Sequence, residues 1–329
     1  MSLDTKEPAF DRAALQKKVA ALAHEGVFIG TSSWKYPGWR GMLYDESRYV
    51  TRGRFAKSRF ERDCLAEYAE VFKTVCVDAA YYKFPDRKYL EGMVSQTPPD
   101  FLFAFKVTDE ITIKRFTNLP RFGPRAGKRN ENYLNADLFA SAFVAPFESY
   151  RSNVGLFIFE FSKFYPVDYE RGSDFVADLD RFLEAMPKGW RYGVEIRNRY
   201  FLQPEYFAVL ARHGVAHVFN SWGDMPAVGE QMALPGSWTS SEFAGARFLL
   251  KPGRKFEEAV ALFSPYDKLK EPNEAARAAA AGMIVRVVSL KAPRKIFIFV
   301  NNRMEGNALE TIEAIVDGQR IALQNRNAE

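Results

Sequence analysis

The sequence is poor in the residues from which most metal and redox sites are built. Two cysteines occur in 329 residues, Cys64 and Cys76, and neither belongs to a CxxC pair. Neither a disulfide framework nor a structural zinc site of the usual kind is therefore suggested. Only three histidines are present, His24, His213 and His217. The histidine-rich metal site of many barrel hydrolases is hard to build from these, so no metal and no cofactor is expected. Long apolar runs are missing as well. "VGLFIFEF" at 154–161 is among the longest, well short of the roughly 20 residues a membrane-spanning helix needs, and no membrane contact is expected. The first 26 residues are charged and lack the apolar core of a signal peptide. They read as an amphipathic helical extension with Leu15, Val19 and Leu22 on one face, which makes the cytoplasm the expected location. No internal repeat, low-complexity linker or GxGxxG turn is found.

What remains is an ordinary globular composition, 47% hydrophobic and 26% charged, with a net charge of +5. Part of the positive excess is local. Residues 48–59, "RYVTRGRFAKSR", and 114–129, "KRFTNLPRFGPRAGKR", contain no acid. Such stretches permit phosphate contacts without requiring them.

The strongest pattern is alternation. Candidate strands fall at 27–32, 74–82, 101–108, 153–161, 191–197, 216–222, 246–251 and 295–302. Segments of helical period lie between them, most clearly at 59–72, 173–186, 204–214 and 305–318. Eight such units predict an α/β fold, a single (β/α)8 TIM-type barrel over 27–329 behind the 1–26 extension. A doubly wound open sheet is the alternative, but it normally shows a glycine-rich phosphate turn after its first strand. The connections at 33–58 and 109–133 follow strands 1 and 3 and are unusually long, as functional lids often are.

Most of these strands run from apolar residues into a charged or amide side chain, and in a barrel the late strand positions line the active-site face. The set comprises Asp78, Lys106, Glu160, Glu195, Arg197, Asn220, Lys251, Asn301 and Asn302. Converging, they would suit a small ligand with an anionic group. Arg197 could clamp a carboxylate or phosphate, and Lys106 could add a point charge. Glu195, Glu160 and Asp78 are the catalytic candidates, given a raised pKa. Alternatively Glu195 and Arg197 neutralise each other, and Asn301 and Asn302 tie strand 8 to its loop. His217, mid-strand among apolar residues, reads as a core histidine. In the first loop, "SWKYPGWRGMLYD", Trp34 is a candidate pocket wall, and Trp39 and Tyr44 are candidate loop anchors.

The motifs "IGTSSWKYPGWRGMLYD", "YAEVFKTVCVDAAYYKFP", "TPPDFLFAFKVTDEIT", "YGVEIRNRYF" and "FIFVNNRMEGNA" resemble, in that order, those of the YecE-like family. This is a family of TIM barrels without an established reaction, and the resemblance runs from about residue 27 to 318. It implies the barrel fold and a pocket at the strand C-terminal ends. Trp34, Trp39, Lys106, Glu195, Arg197, Asn301 and Asn302 match the family pattern. Elsewhere Cys76 stands for a glutamate, Asp78 for an asparagine, Ile113 for a histidine, Glu160 for a glutamine and Asn220 for an aspartate. On the seventh strand Leu250 and Pro252 align with an arginine and a histidine. The chain reads as a divergent branch.

The leading expectation is a small-molecule enzyme or binding protein for a phosphorylated or carboxylated metabolite. If it is an enzyme, a metal-independent hydrolase or isomerase fits. The alternatives are a nucleic-acid-binding or nuclease-like barrel using loop 114–129, with fold analogy to apurinic endonucleases, and a non-catalytic interaction scaffold.

Overall fold

A computed structural model describes residues 10–290 and 294–328. A helix, Arg12–His24, opens the described chain, capped by Asp11, whose side chain accepts from the Ala14 N–H. Its Leu15, Val19 and Leu22 are buried, in keeping with the apolar face expected from the sequence. Eight parallel strands follow: β1 (Val27–Thr31), β2 (Thr74–Val77), β3 (Leu102–Lys106), β4 (Val154–Phe161), β5 (Tyr192–Ile196), β6 (Ala216–Asn220), β7 (Phe243–Phe248) and β8 (Lys295–Val300). Each pairs with its sequence neighbours, and β8 closes on β1. This is the (β/α)8 barrel.

Alternation along the strands divides the core in two. Cys76, Leu102, Leu156, Ile158, Val218, Phe243, Phe297 and Phe299 fill the lumen. Ile29, Val75, Phe103, Phe157, Val194 and Phe219 face the helices. Small residues make room for large ones across the lumen. A Cβ on Gly193 would lie 2.6 Å from Val218 Cγ2, too close for any side chain. The barrel is therefore a packed plug, open to chemistry only at its ends.

The boundaries depart from the sequence reading in four places. β2 stops at Val77, because Asp78–Tyr81 turns into a 3-10 helix. β7 begins at Phe243, three residues before the expected start, and Leu249 and Leu250 lie beyond its end. The last helix begins at Ala308 and continues to Ala328. The residues before it wrap around the buried Glu305, which accepts from Arg277, Thr311 and the Asn273 N–H. Finally, the connection after β3 is followed by a helical run, Ala136–Leu138, Phe139–Val144 and Ala145–Asn153. Phe139, Phe143 and Phe147 recur there at intervals of four. Such an interval keeps side chains on one face of a helix, and the three rings, the first two on the wide π-type turn at 139–144, form one stripe over β3 and β4.

The loops on the C-terminal side of β1, β7 and β8 are pinned together. A Cβ on Gly38 would come 2.2 Å from the Pro265 carbonyl oxygen. One on Gly306 (φ +113°) would come 2.7 Å from that of Lys268. Tyr266 has φ +71°, a left-handed conformation that is costly for an aromatic residue, and its ring meets Tyr36 edge-on at 5.6 Å. Among the described residues no helix is long and apolar enough to cross a membrane.

Candidate functional site

At the C-terminal end of the lumen the strands deliver six charges to one place. Asp78 follows β2, Lys106 ends β3, Glu160 lies late on β4, Glu195 on β5 with Arg197 just beyond, and Arg247 late on β7. Glu160 Oε2 is the hub. Lys106 Nζ lies 2.7 Å from it, Arg197 Nη2 2.8 Å and Arg247 Nη1 2.7 Å. Arg247 Nη1 also reaches Glu195 Oε2 at 2.7 Å, and its Nη2 reaches Asp78 Oδ1 at 3.3 Å. Arg197 donates from Nε and Nη2 to Glu195 Oε1 at 3.3 and 3.2 Å. Three carboxylates meet three cations, so the ensemble is formally neutral.

Neutrality explains why so much charge tolerates burial. Glu195 is fully buried, and Glu160, Lys106 and Arg247 nearly so. Burial by itself would raise the Glu160 carboxyl. Arg197, Lys106 and Arg247 override it and hold Glu160 well below the usual carboxylate range. Burial likewise opposes the charge on Lys106, but Glu160 and Asp78 outweigh it and raise its pKa. The raised carboxyl pKa that an acid catalyst at position 160 would need is therefore replaced by the opposite shift. Glu160 is a fixed anion. Asp78, with about a third of its side chain exposed, is the most accessible carboxylate of the three. Below the network Cys76 is fully buried, and burial pushes its thiol up to about 12.

Aromatic rings grip the cations. Lys106 Nζ lies 4.0 Å from the centre of the Tyr81 ring, and the Arg197 guanidinium lies 4.0 Å from that of Trp222. Trp222 neighbours Phe256, whose ring in turn carries Arg303 at 4.5 Å. The resulting chain Arg197–Trp222–Phe256–Arg303 forms one side of the mouth. Such contacts fix planar guanidinium groups in place.

Arg197 also lines a cleft of about 600 Å³ between the loops after β4, β5, β6 and β7, together with Lys163, Arg199, Tyr200, Met225 and Pro252. The loops after β6 and β7 are joined there by a hydrogen bond from Gly253 N–H to the Gly223 carbonyl.

The other sequence candidates go elsewhere. Asn220 is buried and donates to the Ile196 carbonyl. Asn301 accepts from Arg303 N–H and Asn302 from Ala308 N–H, which ties β8 to its loop. Lys251 is half exposed and pairs with Glu271 at 2.8 Å, away from the network. Trp34 packs into the helix-side core cluster, and its carbonyl accepts from Tyr44 OH. Trp39 and Tyr44, stacked at 6.2 Å, are fully buried. His217 lies on the helix side, bonded to Tyr206 OH, and burial lowers its pKa to about 4.

Arg247 is the residue sequence reasoning missed. With β7 placed at 246–251, the arginine was sought at Leu250. The strand in fact carries an arginine three positions earlier, at Arg247. The signal was present: starting the strand at Phe243 puts Phe243, Gly245 and Arg247 on one parity.

The basic loop is largely tied down. Of its six cations, Lys114 pairs with Asp178, Arg115 with Asp168, Arg121 with Asp109 and Arg125 with Glu110. Among the described residues, no group of three or more His, Cys, Asp or Glu side chains is arranged to hold a metal.

A family model described as "Protein of unknown function DUF72" matches residues 28–328. No curated protein matches the chain. Among solved structures, a DUF72 family protein from Enterococcus faecalis V583 aligns over 89% of this chain and 95% of its own at 18% identity, TM-score 0.59. Another from Thermotoga maritima MSB8 aligns over 91% and 99% at 20% identity, TM-score 0.57. At these identities the structural likeness shows the shared barrel.

Proposed function

The chain belongs to the DUF72 family of proteins of unknown function, and from that premise we propose that it binds a small phosphorylated or carboxylated metabolite at the barrel mouth, with Arg197 as the anion contact. The observation that carries this reading is the double membership of Arg197. Its Nε and Nη2 are held by Glu195 and Glu160, and its face by Trp222. Its remaining edge borders the cleft. A guanidinium fixed in this way loses little freedom on binding an oxyanion and can donate to it from Nη1. Arg199 on the same wall adds charge, whereas Lys163 is paired there with Asp224 at 2.9 Å. Any proton transfer to or from the ligand falls to Asp78, the one carboxylate of the three that is partly exposed, since Glu160 and Glu195 are buried among the cations.

The test is calorimetric titration with phosphate, phosphorylated sugars and short carboxylates at low ionic strength, repeated with Arg197→Gln. The reading expects a saturable anion site weakened at least about tenfold by the variant, as for loss of a charged hydrogen-bonded contact. Absence of any anion binding, or binding that the variant leaves unchanged, overturns it.

A further inference from the structure

Resting on that reading, we infer that the ligand is a mononucleotide: an anion that also carries a planar ring, stacked on Tyr200. Among the large apolar side chains described, Tyr200 is the most exposed, at 78%, and it stands on the wall of the cleft that Arg197 enters. A single exposed aromatic on open surface needs no explanation. One that shares a concave wall with Arg197 and Arg199 offers the two contacts a nucleotide monophosphate uses, a ring face and cations for the phosphate, while Lys163 on that wall is already paired with Asp224. The remaining walls mix two carboxylates, Asp224 and Glu230, with apolar and open surface. Met225 and Pro252 are apolar, and Gly223 and Gly253 have open space where a side chain would project, so a flat group can approach the backbone there. The cleft's volume of about 600 Å³ suits a ligand of this size. A longer strand is less well served, because the neighbouring basic loop 114–129 spends four of its six cations on carboxylates.

The experiment titrates the full chain with AMP, ribose phosphate, inorganic phosphate, adenosine and a short oligodeoxythymidylate. AMP should bind about tenfold or more tighter than ribose phosphate, the gain expected of one stacked base. Tyr200→Ala should abolish that gain, Tyr200→Phe should keep it, and Arg197→Gln should weaken both phosphates together. Equal affinity for AMP and ribose phosphate, or an AMP preference that survives Tyr200→Ala, overturns the inference while leaving the anion site standing. Tighter binding of the oligonucleotide than of AMP overturns it in favour of a strand-binding surface. If none of the phosphates binds, both this inference and the anion reading fall.

Discussion

Replacing Glu160 with glutamine keeps the shape of the side chain and removes its charge, which makes it a direct probe of the network. The substitution leaves Lys106, Arg197 and Arg247 facing Asp78 and Glu195 alone, a net charge of +1 in a site whose members are mostly buried. Breaking a buried ion pair typically costs about 3–5 kcal/mol. A chain of 329 residues unfolds with an entropy of about 0.7 kcal/mol/K, so the melting temperature should fall by about 4–7 °C. The loss should also depend on pH. The folded pKa of Glu160 is lowered from an unfolded value of 4.5. Its contribution is therefore complete above that value and disappears as the pH falls towards the lower folded pKa. Urea unfolding of wild type and Glu160→Gln should show a constant gap near neutrality that narrows in acid. A second substitution, Lys106→Met, restores formal neutrality and should recover part of the loss. A variant as stable as wild type at neutral pH, or a gap that widens in acid, would refute the view that Glu160 is the anionic hub.

Three further outcomes follow from groups described above. Arg277→Met strips the fully buried Glu305 of its guanidinium partner and should cost about 3–5 kcal/mol, measured by urea unfolding. His217, lowered from 6.5 to about 4, is neutral when folded at neutral pH. The unfolded chain binds its proton first, so stability is full above about pH 6.5 and should fall by about 3 kcal/mol as the pH drops towards 4. In NMR its ring should show no titration between about pH 5.5 and 8. Cys64 and Cys76 are both buried with thiols pushed up to about 12. Neither should react with iodoacetamide in the native protein, and both should react in urea, as read by intact mass; native labelling of either would contradict the packing described.

The barrel was legible because its evidence recurs along the chain: eight apolar runs, most with a polar residue at the end, separated by segments of helical period. Asp78, Lys106, Glu160, Glu195 and Arg197 were found by that rule and do meet in one network. Arg247 escaped it because Leu249 and Leu250 extend the apolar run past the true strand end, which drew attention to Lys251 instead. The extent of the strand is set by pairing with β8, Phe243 against Lys295 through Phe248 against Val300, and the parity of Phe243, Gly245 and Arg247 identifies the arginine only once that starting point is known. Trp34 was misleading for a related reason. Its position after β1 says that it is near the mouth, but only the loop's own packing, with Tyr44 bonded to its carbonyl, decides which layer receives the ring. The electrostatic state of Glu160 was equally out of reach, since it depends on three cations from three other strands.

The glycine contacts that join the loops after β1, β7 and β8 have a consequence for how this protein can change. Because Gly38 lies against Pro265 and Gly306 against Lys268, none of these three loops can gain a side chain or shift its backbone at those points without displacing another. Variation on that half of the rim must arrive as a coordinated replacement of the set. The opposite half, where Tyr200 and Lys163 project from separate loops, is open to single substitutions. New ligand preferences in this barrel, natural or engineered, should therefore accumulate first along the arc from β4 to β6.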